Sequence, residues 1–403
     1  MTQIHKIYLL SDTHLIADSL HDQGAAFQKM QLTSAGKDLN HQEIMLSAFV
    51  RKILNDKPDA VVITGDLTFN GEKVSAERLK EIFHPLQKAK IDFFPLPGNH
   101  DIYDGWARKF DRAYQYLTPQ ISPYDFKSIF RDAYDKAVSC DPSSLAYSIN
   151  FKQKYRLIFA DSNIYGNQNS NSHPITNGFI KKEQLKWIEQ QLKVAQQSNQ
   201  YVLFFMHHSL NNHNNIVNGG FTLDNAQELK QLFTKYNVKV SFTGHIHAQN
   251  IASSASGVDI ASSCFSMCDQ GYGIITLADN KLEYHRFSFD PIPYLTDEEK
   301  RLLPTGDYHD YLKKLFIQTN EIQMQNFKKR FPSENDFDTV MNLINQLNYN
   351  FFIGKSNYSS AQKKEIESSI SYQLVQKFLP EMKKYVDSLL AIKQNSQHVF
   401  ITL

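Results

Sequence analysis

Short apolar runs of four to six residues recur along the first 290 positions, and each stops abruptly at a polar cluster. Ile7–Leu10 runs into Ser11-Asp12-Thr13-His14, and Ala60–Thr64 into Gly65-Asp66-Leu67-Thr68. Ile91–Leu96 runs into Pro97-Gly98-Asn99-His100-Asp101, Tyr201–Met206 into His207-His208, and 238–242 into Thr243-Gly244-His245-Ile246-His247. Runs of this length, rich in β-branched and aromatic residues and closed by Gly or Pro, predict buried strands. A strand pair is predicted at Tyr147–Phe151 and Tyr155–Ala160, closed by Asp161-Ser162-Asn163, and further strands at Val258–Ile260, Gly273–Leu277 and Leu282–Phe287.

Between them the period changes to that of a helix. Asn40 is a candidate N-cap for a helix with Leu46, Val50 and Leu54 on one face, ended near Pro58. Others are predicted from about Ser75 to Leu86, around Leu185, Ile188 and Leu192, and after Asp224 with Leu229, Leu232 and Phe233. Strands alternating with helices predict an α/β domain with a largely parallel sheet. Residues 18–40 read as a long polar loop. Residues 102–135, rich in Tyr, Phe and Trp, read as a helical insertion whose rings either pack on the core or offer a face to a flat group. Beyond Pro291-Ile292-Pro293 the pattern is helix and loop without strand alternation, with a seam at Ile366, Ile370, Leu374 and Phe378, and Pro380 to break or kink the helix. The expected division is 1–292 and 293–403.

In an α/β sheet, chemistry gathers where strands end. The strand-end polar residues are Asp12, His14, Asp66, Asn99, His207, His245 and His247. The alternation Asp-x-His, and again His-x-His, is expected to aim two donors one way from extended backbone. So many carboxylates and imidazoles in one place need a cation, and two transition ions sharing a carboxylate account for all seven. Manganese, iron, zinc, nickel and cobalt all suit this donor set; calcium does not. His208 neighbours a candidate ligand and is a candidate for supporting it from behind, for substrate contact or for packing, and Asn70 and Asn163 for substrate contact. Gly98 allows a tight turn and is a candidate for positive φ.

Charge and cysteines narrow the field. Among 403 residues, 43 basic and 42 acidic give a net charge of +1, which supplies no basic track for a nucleic-acid polymer. Cys140, Cys264 and Cys268 form no paired framework and predict reduced thiols, hence a cytoplasmic setting. Met1–Ser11 leads straight into a site motif and reads as a strand, not a leader. No apolar run approaches a membrane span.

The order Asp12-Thr13-His14, Gly65-Asp66, Gly98-Asn99-His100-Asp101, His207, Gly244-His245-Ile246-His247 resembles the calcineurin-like metallophosphoesterases over residues 5–290. The resemblance implies a four-layer α-β-β-α sandwich, followed here by a C-terminal helical domain. It implies two divalent or trivalent ions (manganese, iron or zinc). Asp12, His14 and His247 would hold one; Asn99, His207 and His245 would hold the other, with Asp66 bridging. It also implies His100 as the acid beside the leaving group, with Asp101 orienting its imidazole and Asn99 also touching substrate. The Gly-Asp-Leu-Thr wording and the His207-His208 pair are similar to the bacterial cyclic-nucleotide phosphodiesterase branch. No arginine follows Asp66 to clamp a phosphate, unlike the protein phosphatases. The expected function is therefore hydrolysis of cyclic nucleotides or related small phosphodiesters. The alternatives are a phosphomonoesterase or nucleotide pyrophosphatase of the same fold, and a scaffold with a relic site.

Overall fold

The computed structural model describes residues 3–403; Met1 and Thr2, at the head of the expected first strand, lie outside the described residues. The strands in chain order begin with β1 (Ile4–Leu10), β2 (Ala60–Thr64), β3 (Asp92–Leu96), β4 (Arg108–Asp111), β5 (Tyr114–Leu117), β6 (Ser139–Cys140) and β7 (Tyr147–Phe151). They continue with β8 (Tyr155–Phe159), β9 (Tyr201–Phe205), β10 (Val240–Thr243), β11 (Asn250–Ser254) and β12 (Gly257–Ala261). The last three are β13 (Gly271–Ala278), β14 (Lys281–Ser288) and β15 (His398–Thr402). One sheet has the order β15-β14-β13-β1-β2-β3, and the other β11-β12-β10-β9-β8-β7-β6. The central pairs β1–β2, β2–β3, β8–β9, β9–β10 and β10–β12 are parallel. Their C-terminal ends therefore open on the same edge.

Alternation along the strands builds the layers. Ile7 and Leu9 of β1 face inward, with Val62 and Phe94, against Leu157, Leu203, Phe205 and Phe242 of the second sheet. Tyr8 and Leu10 face outward onto α2 (Gln42–Asp56) and α3 (Lys73–Lys88), through Leu46, Phe49, Leu79 and Phe83. On the far side, Ile158, Phe204 and Met206 pack on Trp187, Ile188, Leu229 and Phe233, which belong to helices 182–197 and 226–236. The result is the four-layer α-β-β-α sandwich.

Four local expectations are corrected. Residues 18–40 are not loop throughout: α1 (Ala25–Thr33) lies within them, its Phe27 stacked on His21 at 3.8 Å. Residues 102–135 are not simply helical. They contain the β4–β5 hairpin before two short helices, Pro123–Ile129 and Arg131–Asp135. The region beyond 293 is helical up to residue 390, but β15 then returns to pair antiparallel with β14, His398 opposite His285. The apolar seam is also split. Ile366 ends in helix 360–368, Ser369 caps a new helix 370–378, and Ile370 points outward at 71% exposure. Pro380 breaks the run as expected: helix 370–378 ends at Phe378 and Pro380 opens the next.

This C-terminal region packs on the site edge. Phe337, Val340, Ile344, Val375 and Val386 enclose Ile246, Ala248 and Ala261, so the His245–His247 turn is backed by helices. Helix 308–324 places Phe316 against Cys264, Met267 and Cys268.

Candidate metal centre

The seven strand-end residues converge where the two sheets meet. At five of them the local backbone is not extended. Asp12, His14, Asp66, His245 and His247 all have φ between 41° and 67°. The donors of Asp-x-His and His-x-His come together through paired left-handed turns, not through the strand alternation expected from the spacing. Such backbone is costly for non-glycine residues and persists where its surroundings over-determine it. Here Asp12 N–H donates to Gly65 O at 3.0 Å and His14 N–H to Asp66 O at 2.9 Å, which ties the β1 turn to the β2 turn.

Glycines allow the close approach. A Cβ on Gly98 would lie 2.1 Å from Asp66 N, and one on Gly244 would lie 1.9 Å from Ser11 Oγ. Gly98 is therefore required by space, not by the positive φ expected for it. Gly65 meets both demands, with φ +91° and a would-be Cβ 2.4 Å from His207 Nδ1.

Two donor groups share Asp66. Asp12, His14, Asp66 and His247 form one; Asp66, His207 and His245 form the other. In the first, His14 Nε2 lies 3.1 Å from His247 Nε2 and 3.6 Å from Asp66 Oδ2, and His247 Nε2 lies 3.3 Å from Asp12 Oδ1. In the second, His207 Nε2 faces Asn99 Oδ1 at 3.1 Å and Asp66 Oδ1 at 3.4 Å. Asp66 Oδ2 and His14 Nδ1 are buried without a hydrogen-bond partner. Lone pairs thus converge with few protons between them, which fits cations.

Surrounding bonds choose the free nitrogen of each ring. His207 Nδ1 is 2.8 Å from Thr64 O, which leaves Nε2 for the site. His245 is the reverse: Nε2 lies 3.0 Å from Thr176 O and 3.1 Å from Gly220 O, which leaves Nδ1. Burial, followed by the charge of His207, brings the His245 pKa down to about 3, so this ring is a neutral donor. Burial opposes charge on His207 too, but Asp66 and Asp12 overcome it and lift that ring to about 9. Cys264 lies within reach of His14 and His247, yet burial and Asp12 push its thiol up to about 12, and it donates to Asp12 O at 3.1 Å. It is a buried thiol beside the donors.

Three expected roles are corrected. Asp101 does not orient His100. Its oxygens accept from the backbone N–H groups of Gly98 (2.8 Å), Leu67 (3.1 Å) and Thr68 (2.9 Å), and from Thr68 Oγ1 (2.8 Å). It staples the Asp66 turn to the Asn99 turn. The carboxylate beside His100 is Asp104, with Oδ2 3.2 Å from His100 Nδ1; Asn70 Oδ1 is 3.1 Å from the same nitrogen. His208 is not placed for substrate contact. It is fully buried, with Nδ1 2.8 Å from Ser162 Oγ and Nε2 3.0 Å from Thr176 O. Asn163 is likewise buried and donates to Pro97 O at 2.8 Å, behind the Asn99 turn.

Residues 5–249 match the family model described as calcineurin-like phosphoesterase. The chain is a calcineurin-like phosphoesterase. Among curated relatives, a protein of Ruthia magnifica subsp. Calyptogena magnifica named "Probable cyclic nucleotide phosphodiesterase" is 27% identical over 245 residues, 59% of this chain and 85% of the relative. A protein of Arcobacter nitrofigilis named "Probable glycerophosphodiester phosphodiesterase GpdQ" is 28% identical over 155 residues, 38% of this chain and 43% of its own length. A dimetal phosphatase from Danio rerio shares the fold, with TM-score 0.52 at 13% identity, covering 70% of this chain and 96% of that one. Calcineurin-like phosphoesterases use divalent metal ions, and the clustered donors of this chain are candidates to hold them. Among the described residues, no helix of this phosphoesterase is long and apolar enough to cross a membrane.

Proposed function

We propose that this phosphoesterase is a dinuclear metal-dependent phosphodiesterase acting on small molecules, with cyclic nucleotides as the leading substrate class. The observation that carries the reading is the pair of donor groups joined by Asp66, each completed by buried imidazoles. Asp12, His14, Asp66 and His247 would hold one ion, and Asp66, Asn99, His207 and His245 the other. When bound, two such ions supply Lewis-acid neutralisation of phosphoryl charge and a nucleophile from water at neutral pH.

The chain's own groups do the rest. With Nδ1 held between Asp104 and Asn70, His100 keeps Nε2 for the departing oxygen of the ester. Burial opposes a charge on this ring, but Asp66 and Asp104 lift its pKa above the ordinary value, so it can carry the proton that the leaving oxygen needs. Asp101 fixes the two turns that present Asp66 and Asn99. Diesters are favoured because the site turn Leu67-Thr68-Phe69-Asn70-Gly71-Glu72 carries no arginine for a dianionic monoester. The names of the relatives at 27–28% identity point the same way.

The test is a substrate panel on metal-reconstituted protein. Values of kcat/KM are compared for 3′,5′- and 2′,3′-cyclic nucleotides, bis(p-nitrophenyl) phosphate and p-nitrophenyl phosphate. Preference for the diesters supports the reading. Preference for p-nitrophenyl phosphate over every diester overturns it, and no turnover of any ester returns the relic-scaffold alternative.

A further inference from the structure

The 34–41 turn carries a lysine whose placement the fold has fixed on both sides. Gly36 has φ +86° and sits against Phe316, where a Cβ would lie 3.0 Å from the ring. Lys37 O accepts from Gln31 Nε2 at 2.5 Å and from Ser34 Oγ at 3.2 Å. Asp38 N–H donates to Ser266 O at 2.8 Å. Ser266 belongs to the loop that meets the metal-donor turns: Cys264 N–H donates to His247 O and Phe265 N–H to Ser11 O. Lys37 is thereby docked at the His14/His247 half of the site.

Its side chain is out of place for a structural lysine. Lys37 is only 8% exposed, and among the described residues its ammonium has neither an ion-pair nor a hydrogen-bond partner. The neighbouring carboxylate is not free to serve. Asp38 is taken by His41 Nδ1 (2.8 Å), Tyr308 OH (2.5 Å) and the Asn40 N–H (3.0 Å). Lys37 lies close enough for its charge to act on His14, His247 and His100. A nearly buried cation without a counter-charge is costly unless an anion meets it.

We propose that Lys37 is the phosphate-gripping cation of this site, binding a non-bridging oxygen of the substrate's phosphoryl group. It takes the part for which the Asp66 turn has no arginine. A single ammonium is a point charge, not a planar fork, and is suited to one oxygen of a diester monoanion. The inference rests on the phosphoesterase reading of the centre.

The experiment uses the full chain loaded with manganese and titrates inorganic phosphate by calorimetry, with metal content measured in every sample. Lys37→Met is expected to keep its metal and to bind phosphate about 10–100-fold more weakly, the loss of one charge-assisted bond. Lys37→Arg should stay within a few-fold of wild type. Without phosphate, Lys37→Met should melt at or above the wild-type temperature, because an unpaired buried charge has gone; a structural lysine would give the opposite sign. Lys37→Gln repeats the test with a side chain that keeps polarity. Unchanged phosphate affinity in Lys37→Met with metals intact overturns the inference, as does a lower melting temperature in both neutral variants. If wild type hydrolyses diesters while Lys37→Met binds phosphate normally, only the role of Lys37 falls. If loaded wild type neither binds phosphate nor hydrolyses any ester, the reading of the centre falls with it.

Discussion

Asp104→Asn separates the two carboxylates that follow His100 in sequence. Asp104 is fully buried at its side chain, with Oδ2 3.2 Å from His100 Nδ1 and Oδ1 accepting from Trp106 N–H at 2.8 Å. Asparagine has the same shape and can keep the Trp106 bond through Oδ1. It then presents an amide N–H, in place of an acceptor, to His100 Nδ1. What is lost is one charge-assisted contact to the imidazolium, about 1.5–3 kcal/mol. At about 1.4 kcal/mol per decade, kcat should fall roughly 10–100-fold for esters with poor leaving groups. The fall should shrink for bis(p-nitrophenyl) phosphate, whose leaving group needs little help from an acid. The pH profile should move as well. Burial lowers the His100 pKa, while Asp66 and Asp104 raise it to a net value above the ordinary one. Removing Asp104 lowers it, so the limb on which activity is lost as pH rises should shift to lower pH. The assay is kcat against pH for a leaving-group series, with metal content checked. Asp101→Asn is the contrast. It loosens the staple between the Asp66 and Asn99 turns and should reduce turnover equally for good and poor leaving groups. Equal losses for both leaving-group classes in Asp104→Asn, or a leaving-group dependence in Asp101→Asn instead, would refute the assignment.

Two further outcomes follow from packing and charge. Gly98→Ala should abolish turnover and lower bound metal in elemental analysis, since its Cβ would lie 2.1 Å from Asp66 N and must push the bridging turn aside. Asp269→Ala should destabilise the fold by about 3–5 kcal/mol in urea titration, because Arg286, 4% exposed and bonded to Asp269 through Nη1 at 2.7 Å, would be left charged and buried. Burial raises the Asp269 carboxyl, but Arg286 outweighs it and holds the pKa below the ordinary value. The pair's stabilisation is therefore present above the carboxylate's unfolded pKa and lost as pH falls through the folded one.

The strand ends were legible because each apolar run stops at a polar cluster, and burial leaves little choice about which residues lie in a parallel sheet. That placed Asp12, His14, Asp66, Asn99, His207, His245 and His247 together. How they come together was not legible. Left-handed φ at Asp12, His14 and His245 has no composition signal, since these residues are tolerated there without being required. Asp104 was missed because the adjacent Asp101 looked the better partner; the chain turns after Gly98, so the residue four positions on meets His100. Lys37 was hidden in a segment of polar composition whose α1 is only weakly amphipathic and whose anchors, Ser266 and Tyr308, are more than 200 positions away. The β15 strand, five residues at one edge of its sheet, is set by pairing with β14 more than by its own pattern.

The account stands on Asp66 serving two cations at once. The most direct measurement is elemental analysis of wild type and Asp66→Asn after loading with manganese and gel filtration, beside turnover of bis(p-nitrophenyl) phosphate. Two equivalents in wild type, with depletion of both and loss of turnover in Asp66→Asn, is the predicted result. Two full equivalents retained by Asp66→Asn would contradict it.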